Sequence, residues 1–306
     1  VPSPTARYRP LGVDVRLVGD VPAVQEALEA GLGRYPDDLG VVGWLQIAVR
    51  EHPDQPGDPA WPSVQAVDGD DELVVRCGSA VAVLSYAECT VDLDVPVSLA
   101  AVPDALRLFV ESVFTASLVR SGHLYAVHSA LVVRDGIGLV LRGQSGAGKS
   151  TLTYACMRRG MGVCSDDWVY APTHRAPERF AGYPWRMMMT EDAASRFPEL
   201  VGRATVPHPA AEGRKVPVIP PASQQVAVAT AHALVLLDPD PTLSLRQVSP
   251  DEAAERFWAS ALPTERQHLT PEWIAALATL PSFVLRRGTD PDAATQALAD
   301  LAASLR

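Results

Sequence analysis

Gly143-Gln144-Ser145-Gly146-Ala147-Gly148-Lys149-Ser150-Thr151 fits the pattern G-x-x-x-x-G-K-[ST], a loop whose backbone N–H groups wrap nucleotide phosphates. Its flanks fit as well. Leu139-Val140-Leu141 reads as the end of an apolar strand, and Thr151 to Met157 reads as a helix. The turn and the helix N-terminus then aim their N–H groups at an anion. In such a loop Lys149 reaches the β- and γ-phosphates and the Ser150 hydroxyl holds Mg²⁺. Lys149 is one of only two lysines in 306 residues, the other being Lys215. A chain this biased toward arginine keeps lysine where a compact ammonium serves and a planar fork does not. With 21 glycines and two lysines, a chance match is on the order of one in a thousand. The plain alternative is a glycine-rich turn that only joins strand to helix.

Downstream, a helix, a turn at Gly160 and a short strand Gly162-Val163-Cys164-Ser165 would return Asp166 and Asp167 to the side of the loop. Two adjacent carboxylates at a strand end can divide labour, one supporting Mg²⁺ and one accepting the proton of an attacking hydroxyl. Upstream, residues 124–133 and 137–141 read as two strands, with Asp135-Gly136 as a tight hairpin turn. The loop's strand is therefore expected to have an antiparallel neighbour. His128 falls on the first of these strands. A lone strand histidine is more often a satisfied core residue than a catalyst; the functional alternative orients a carboxylate or touches the γ-phosphate.

These residues together, His128 to Val133, Gly143 to Thr151, Arg159-Gly160 and Ser165-Asp166-Asp167, resemble the catalytic core of the HPr kinase/phosphorylase family. The resemblance is close over roughly residues 124–170. The closing pattern, with an apolar strand at 233–237, a helix after Ser249-Pro250 and Leu280 to Leu285, is similar to HPr-kinase-like proteins of biosynthetic gene clusters, some of which phosphorylate serine on ribosomal precursor peptides. The resemblance implies an α/β fold: a mixed-sheet P-loop kinase core related to phosphoenolpyruvate carboxykinase over 101–306, preceded by a smaller N-terminal α/β domain over 1–100. It implies ATP and Mg²⁺ as cofactors, Asp167 as general base, Asp166 assisting it or the metal, and His128 flanking both. The family's glutamate-x-arginine-glycine segment is not recognisable. In the nearest stretch, Trp185 to Asp192, Arg186 would neutralise transferring phosphate and Glu191 or Asp192 would supply a metal ligand, against the plain reading of a surface arginine and helix N-terminal acids. A kinase without the phosphorylase activity is the expectation. Lys215, in Glu212-Gly213-Arg214-Lys215, is read as part of a basic loop that approaches the phosphates.

The rest of the chain names no chemistry. Strands are expected around Val13–Leu17 and 41–49 and two or three more over 64–93, with a helix over 22–32 begun by Asp20 and a loop over 51–62. A strong amphipathic helix runs over 103–121, with Leu106, Val110, Val113, Phe114 and Leu118 on one face. Residues 171–225 read as an irregular segment with a short helix near Thr190, and long loops usually serve binding. Three helices close the chain near 250–261, 271–279 and 291–305. Cys77, Cys89, Cys156 and Cys164 form no C-x-x-C and read as buried free thiols of a reducing cytoplasm.

A net charge of −10 argues against a broad nucleic-acid surface, so an anionic ligand must be met by a local cationic cluster. No apolar run spans a bilayer, and the start shows no signal-peptide pattern. The expected partner is a phosphate acceptor: a peptide, a small protein or a small molecule of natural-product type. Oligomeric state, including a homo-oligomer, is left open. Two other classes compete. A transport-type or regulatory ATPase would use Ala233 to Asp238 as its metal-binding strand, but the chain lacks a Leu-Ser-Gly-Gly-Gln segment and a Glu after Asp238. A nucleotide-binding scaffold without turnover would not need Asp166 and Asp167.

Overall fold

In the computed structural model the described residues are 5–35, 39–41, 43–54, 64–175, 177–207 and 214–306. They divide into two compact units at Leu124/Tyr125. The first takes in the chain through Leu124, together with Val206, Pro207 and Arg214. The second takes in the remainder.

The first unit is built on seven strands: β1 (Ala6–Tyr8), β2 (Asp14–Val18), β3 (Trp44–His52), β4 (Val64–Asp68), β5 (Glu72–Cys77), β6 (Ala80–Ser85) and β7 (Thr90–Pro96), in the order β1-β2-β3-β7-β6-β5-β4. Residues 64–93 thus hold four strands rather than two or three. β2, β3 and β7 run parallel and the others pair antiparallel. Helix α1 (Pro22–Ala30) lies between β2 and β3, and α2 (Val97–Ala100) and α3 (Pro103–Arg120) follow β7. Val21, not Asp20, is the N-cap of α1, and no side chain caps it. α3 packs on α1, so the division falls after this helix rather than at residue 100. Gly122, at φ +71°, ends it in a conformation that favours glycine. The expected loop over 51–62 begins with two residues of β3, and 55–62 lie outside the described residues.

In the second unit, β8 (Leu124–Val127), β9 (Ser129–Arg134) and β10 (Ile137–Arg142) lead into the glycine-rich loop, and α4 (Lys149–Arg158) follows it. Asp135 and Gly136 both have positive φ, as a two-residue hairpin turn requires. Then come β11 (Gly162–Ser165), β12 (Val169–Pro172), β13 (Arg179–Gly182), β14 (Met187–Thr190), α5 (Glu191–Ser195), the two-residue β15 (Val206–Pro207), which groups with the first unit, and β16 (Arg214–Val218), of which Lys215 onward belongs to the second. The segment 171–225 is therefore laced with short strands rather than being one long binding loop. β17 (Val228–Asp238), β18 (Ser244–Val248), α6 (Pro250–Ala259), α7 (Pro271–Ala278), β19 (Ser282–Arg286) and α8 (Pro291–Ser304) complete the unit. Ser249, Thr270 and Asp290 each cap one of the three closing helices through the side chain, with Pro at its start.

The large sheet is mixed, as the hairpin implied: β10 pairs antiparallel with β9 and parallel with β17, and β17 pairs parallel with β19. Side-chain alternation divides the core. Leu131, Val140, Leu234 and Leu236 face Phe257 of α6 and Trp273, Ile274 and Leu277 of α7. Val132, Leu139, Leu141 and Val235 face Leu152 and Cys156 of α4 and Leu298 and Leu301 of α8. A third cluster packs Tyr154 and Ala155 of α4 on Met187, Met189, Val216 and Val218. α4 is thus held on two sides, which fixes the loop that precedes it.

None of the four cysteines is in a disulfide, but only Cys77, Cys156 and Cys164 are buried; Cys89 is partly exposed in the turn between β6 and β7. Burial pushes the Cys77 and Cys156 thiols up to about 12. No helix among the described residues is long and apolar enough to cross a membrane.

Candidate active site

The parallel strands β10, β17 and β19 end on one edge of the sheet, the edge where open α/β sheets bind ligands. Gly143 to Gly148 lie there. Gly146 and Gly148 have φ of +82° and +97°, accessible to glycine at little cost. A Cβ on Gly143 would stand 2.8 Å from Ala147 Cβ, so the loop curls tightly on itself. Lys149 is buried, and its Nζ donates to the carbonyls of Gly143 at 2.9 Å and Gln144 at 3.3 Å. Burial pushes its ammonium down to about 8, against the attraction of Asp167. Gln144 and Ser145 are exposed at the loop's tip, and Thr151 stands in the first turn of α4.

β11 brings the carboxylates to this edge. Asp166 is buried; the Ser150 hydroxyl and the Met188 N–H donate to it, the latter at 3.4 Å. Burial, reinforced by the negative charge of Asp167, raises its carboxyl to about 7. Asp167 is about half exposed, and Oδ1 accepts from His128 Nε2 at 2.9 Å. Burial of the carboxyl would raise it too. The His128 bond and the charges of His128, Lys215 and Lys149 outweigh that and hold Asp167 below the usual carboxylate range. The two neighbours are thus shifted in opposite directions from the ordinary carboxylate range. The His128 ring tilts against Trp168, with centroids 5.2 Å apart.

The expected strand over 124–133 is split at His128, and the split has a cause. The His128 N–H donates to Glu265 Oε1 at 2.8 Å, and its carbonyl accepts from Arg142 Nη1 at 3.0 Å. Its backbone groups bond to two side chains, so β8 and β9 part there. Arg142 and Glu265 are fully buried and form a two-pronged pair, at 2.6 and 3.1 Å. Arg142 Nε also donates to Ser260 Oγ at 2.8 Å, and the guanidinium lies 4.2 Å from the centroid of the Phe257 ring. Arg142 immediately precedes Gly143. One buried pair therefore ties the loop's entry, His128 and the turn after α6 together. The sequence reading missed it, because its partners are 123 residues apart. The signal available was an arginine at the end of a wholly apolar strand, which demands a buried partner.

Lys215 stands in β16, opposite Thr190 of β14, in a strand rather than a loop. Glu212 and Gly213 lie outside the described residues. Its charge acts on both Asp166 and Asp167. Arg186 and Glu191 stand at opposite ends of β14. Arg186 is half-buried. Glu191 is exposed at the start of α5, whose cap is Thr190, and Asp192 beside it lies 3.8 Å from Arg196. Among the described residues no group of three His, Cys, Asp or Glu side chains is placed to hold a metal. Ser150 and Asp166 are two hard oxygen donors that stand together. That pair suits Mg²⁺, which binds through one or two carboxylates and completes its shell with water and phosphate.

No protein-family model matches the chain, and no curated protein matches it. Among solved structures it is similar to "Structure of the Hpr(Ser) kinase/phosphatase from Coxiella burnetii", at 14% identity and a TM-score of 0.32, over 59% of this chain and 92% of that one.

Proposed function

We propose that this chain is an ATP-dependent phosphotransferase that moves the γ-phosphoryl group to a hydroxyl, with serine of a peptide or small protein as the favoured acceptor and a small-molecule hydroxyl as the alternative. One observation carries the reading. A buried lysine in a phosphate-type loop, a carboxylate hydrogen-bonded to that loop's serine, and a histidine-bound second carboxylate meet at one sheet edge. Asp167, ionised and half exposed, accepts the acceptor's hydroxyl proton. The freed oxygen bonds to the γ-phosphorus as the bond to the bridging oxygen breaks, and ADP leaves. His128 holds Asp167 in place. Lys149 and Lys215 meet the phosphate charge. Ser150 and Asp166 are the residues that would hold Mg²⁺, which neutralises charge on the phosphates when bound. In the ATPase alternative, Asp238 at the end of β17 would be the metal carboxylate. It lies 3.8 Å from Arg286, which disfavours that role.

The test is intact-mass analysis of candidate peptides and metabolites incubated with the protein, ATP and Mg²⁺. One added phosphoryl group on an acceptor, lost in Lys149→Ala, is the expected result. ATP consumed with no acceptor labelled would replace the kinase by an ATPase. Undiminished transfer by Lys149→Ala would remove the loop from the site.

A further inference from the structure

Beside Lys149, the chain carries a second cation at the phosphate loop that its motif does not announce. β19 ends at Arg286, and the next residue, Arg287, turns back over the loop. A Cβ on Gly148 would stand 3.1 Å from Arg287 Nε, 3.2 Å from its Cδ and 3.6 Å from its Cζ. The guanidinium arm thus lies directly on the glycine that opens α4, where the helix's free N–H groups gather. Its backbone is fixed there: the Arg287 N–H donates to the Asp238 carbonyl at 3.2 Å, and the Gly288 N–H to the Asp240 carbonyl at 3.1 Å.

The side chain is only partly satisfied. Arg287 Nε is buried and has no hydrogen-bond partner. Nη1 makes one long bond, to the Gly288 carbonyl at 3.3 Å. Among the described residues Arg287 has no carboxylate partner. Its neighbour Arg286 lies within 3.8 Å of both Asp238 and Asp240. A buried guanidinium donor left open costs stability unless something takes it up. Here it stands beside helix N–H groups and within the same edge as Lys149, so the chemistry that satisfies it is an anion shared with the loop. The arginine fork suits phosphate oxygens.

We infer that Arg287 is a nucleotide-binding residue that donates to the phosphate chain held by the loop. The inference rests on the reading of Gly143–Thr151 as a phosphate-binding loop. It adds a residue, from the far end of the chain, that neither the loop motif nor the Asp166–Asp167 pair predicts.

Titration calorimetry of the whole 306-residue chain with ATP and with inorganic tripolyphosphate tests it. Arg287→Met should weaken both ligands by about tenfold or more, as expected for a lost charged hydrogen bond. Arg287→Lys should recover part of the loss. Arg287→Gln serves as a second neutral variant if the methionine variant does not fold. Wild-type affinity for both ligands in the neutral variants would overturn the inference and leave the loop's role intact. Weakening for ATP alone would also overturn it, by moving Arg287 to the base or ribose. If the wild-type protein binds neither ligand, the phosphate-loop reading falls and Arg287 falls with it.

Discussion

Asp166 and Asp167 are adjacent in sequence and opposite in setting. Asp166 is buried beside Ser150, with its carboxyl raised to about 7 by burial and by its neighbour's charge. Asp167 leans outward onto His128 and is held ionised. This division argues for Asp167 as proton acceptor. Asp167→Asn should keep ATP affinity, because the loop is untouched, and lose transfer by ~10²–10⁴-fold, the usual contribution of a general base. Single-turnover rates with parallel nucleotide titrations separate the two effects, and a near-wild-type rate would dismiss the assignment. The raised carboxyl of Asp166 also has a signed effect on stability. In the fold it keeps its proton up to about pH 7, whereas in the unfolded chain it loses it in the ordinary carboxylate range. Stability from this group is complete at low pH and is lost as pH rises through about 7. Asp166→Asn should flatten that decline, which urea unfolding at about pH 5 and about pH 8 would measure.

The decisive element is the pair of strands that parts at His128. β8 and β9 would be one strand if the His128 backbone were in a ladder; Arg142 and Glu265 take both of its groups instead. Arg142→Met leaves Glu265 buried and unpaired, and removing one member of such a pair costs about 3–5 kcal/mol. The double variant Arg142→Met with Glu265→Leu should regain part of that in denaturant midpoint, yet transfer should stay impaired because His128 has lost its anchors. Recovery of full activity would show the pair to be mere packing. This element also marks where sequence reading stops. The loop, the hairpin turn at Asp135-Gly136 and the closing helices were legible, since each is encoded locally: glycines at positive φ, side-chain caps followed by proline, apolar periodicity. The carboxylate pair was legible because one helix and one strand return it. The split at His128 was not, nor was Arg287 on Gly148, because each depends on a partner more than a hundred residues away, Glu265 for His128 and Gly148 for Arg287. The short strands within 171–225 were read as an irregular segment because two to five residues carry too little pattern without their pairing partners.

At the scale of the whole molecule, charge and site are separated. The chain carries −10 overall, yet Lys149, Lys215 and Arg287 all belong to the second unit, with Lys149 and Arg287 at the loop itself. A field of the wrong sign slows the approach of an anion and acts only within about 10 Å at 0.1 M salt, so affinity must come from these local contacts. His128, the loop, Asp166, Asp167 and Glu265 lie in that unit as well, and its core is closed by α4, α6, α7 and α8 from within. Nucleotide binding should therefore survive removal of the first unit. A fragment spanning Gly122–Arg306 should fold, by far-ultraviolet circular dichroism and a cooperative melt, and bind ATP within a few-fold of the full chain. Acceptor phosphorylation by that fragment then assigns the first unit. Retained transfer with a raised KM for the acceptor alone would make it the acceptor-recognition part. A folded fragment that no longer binds ATP would mean that the first unit supplies part of the nucleotide site, against its assignment to Tyr125–Arg306.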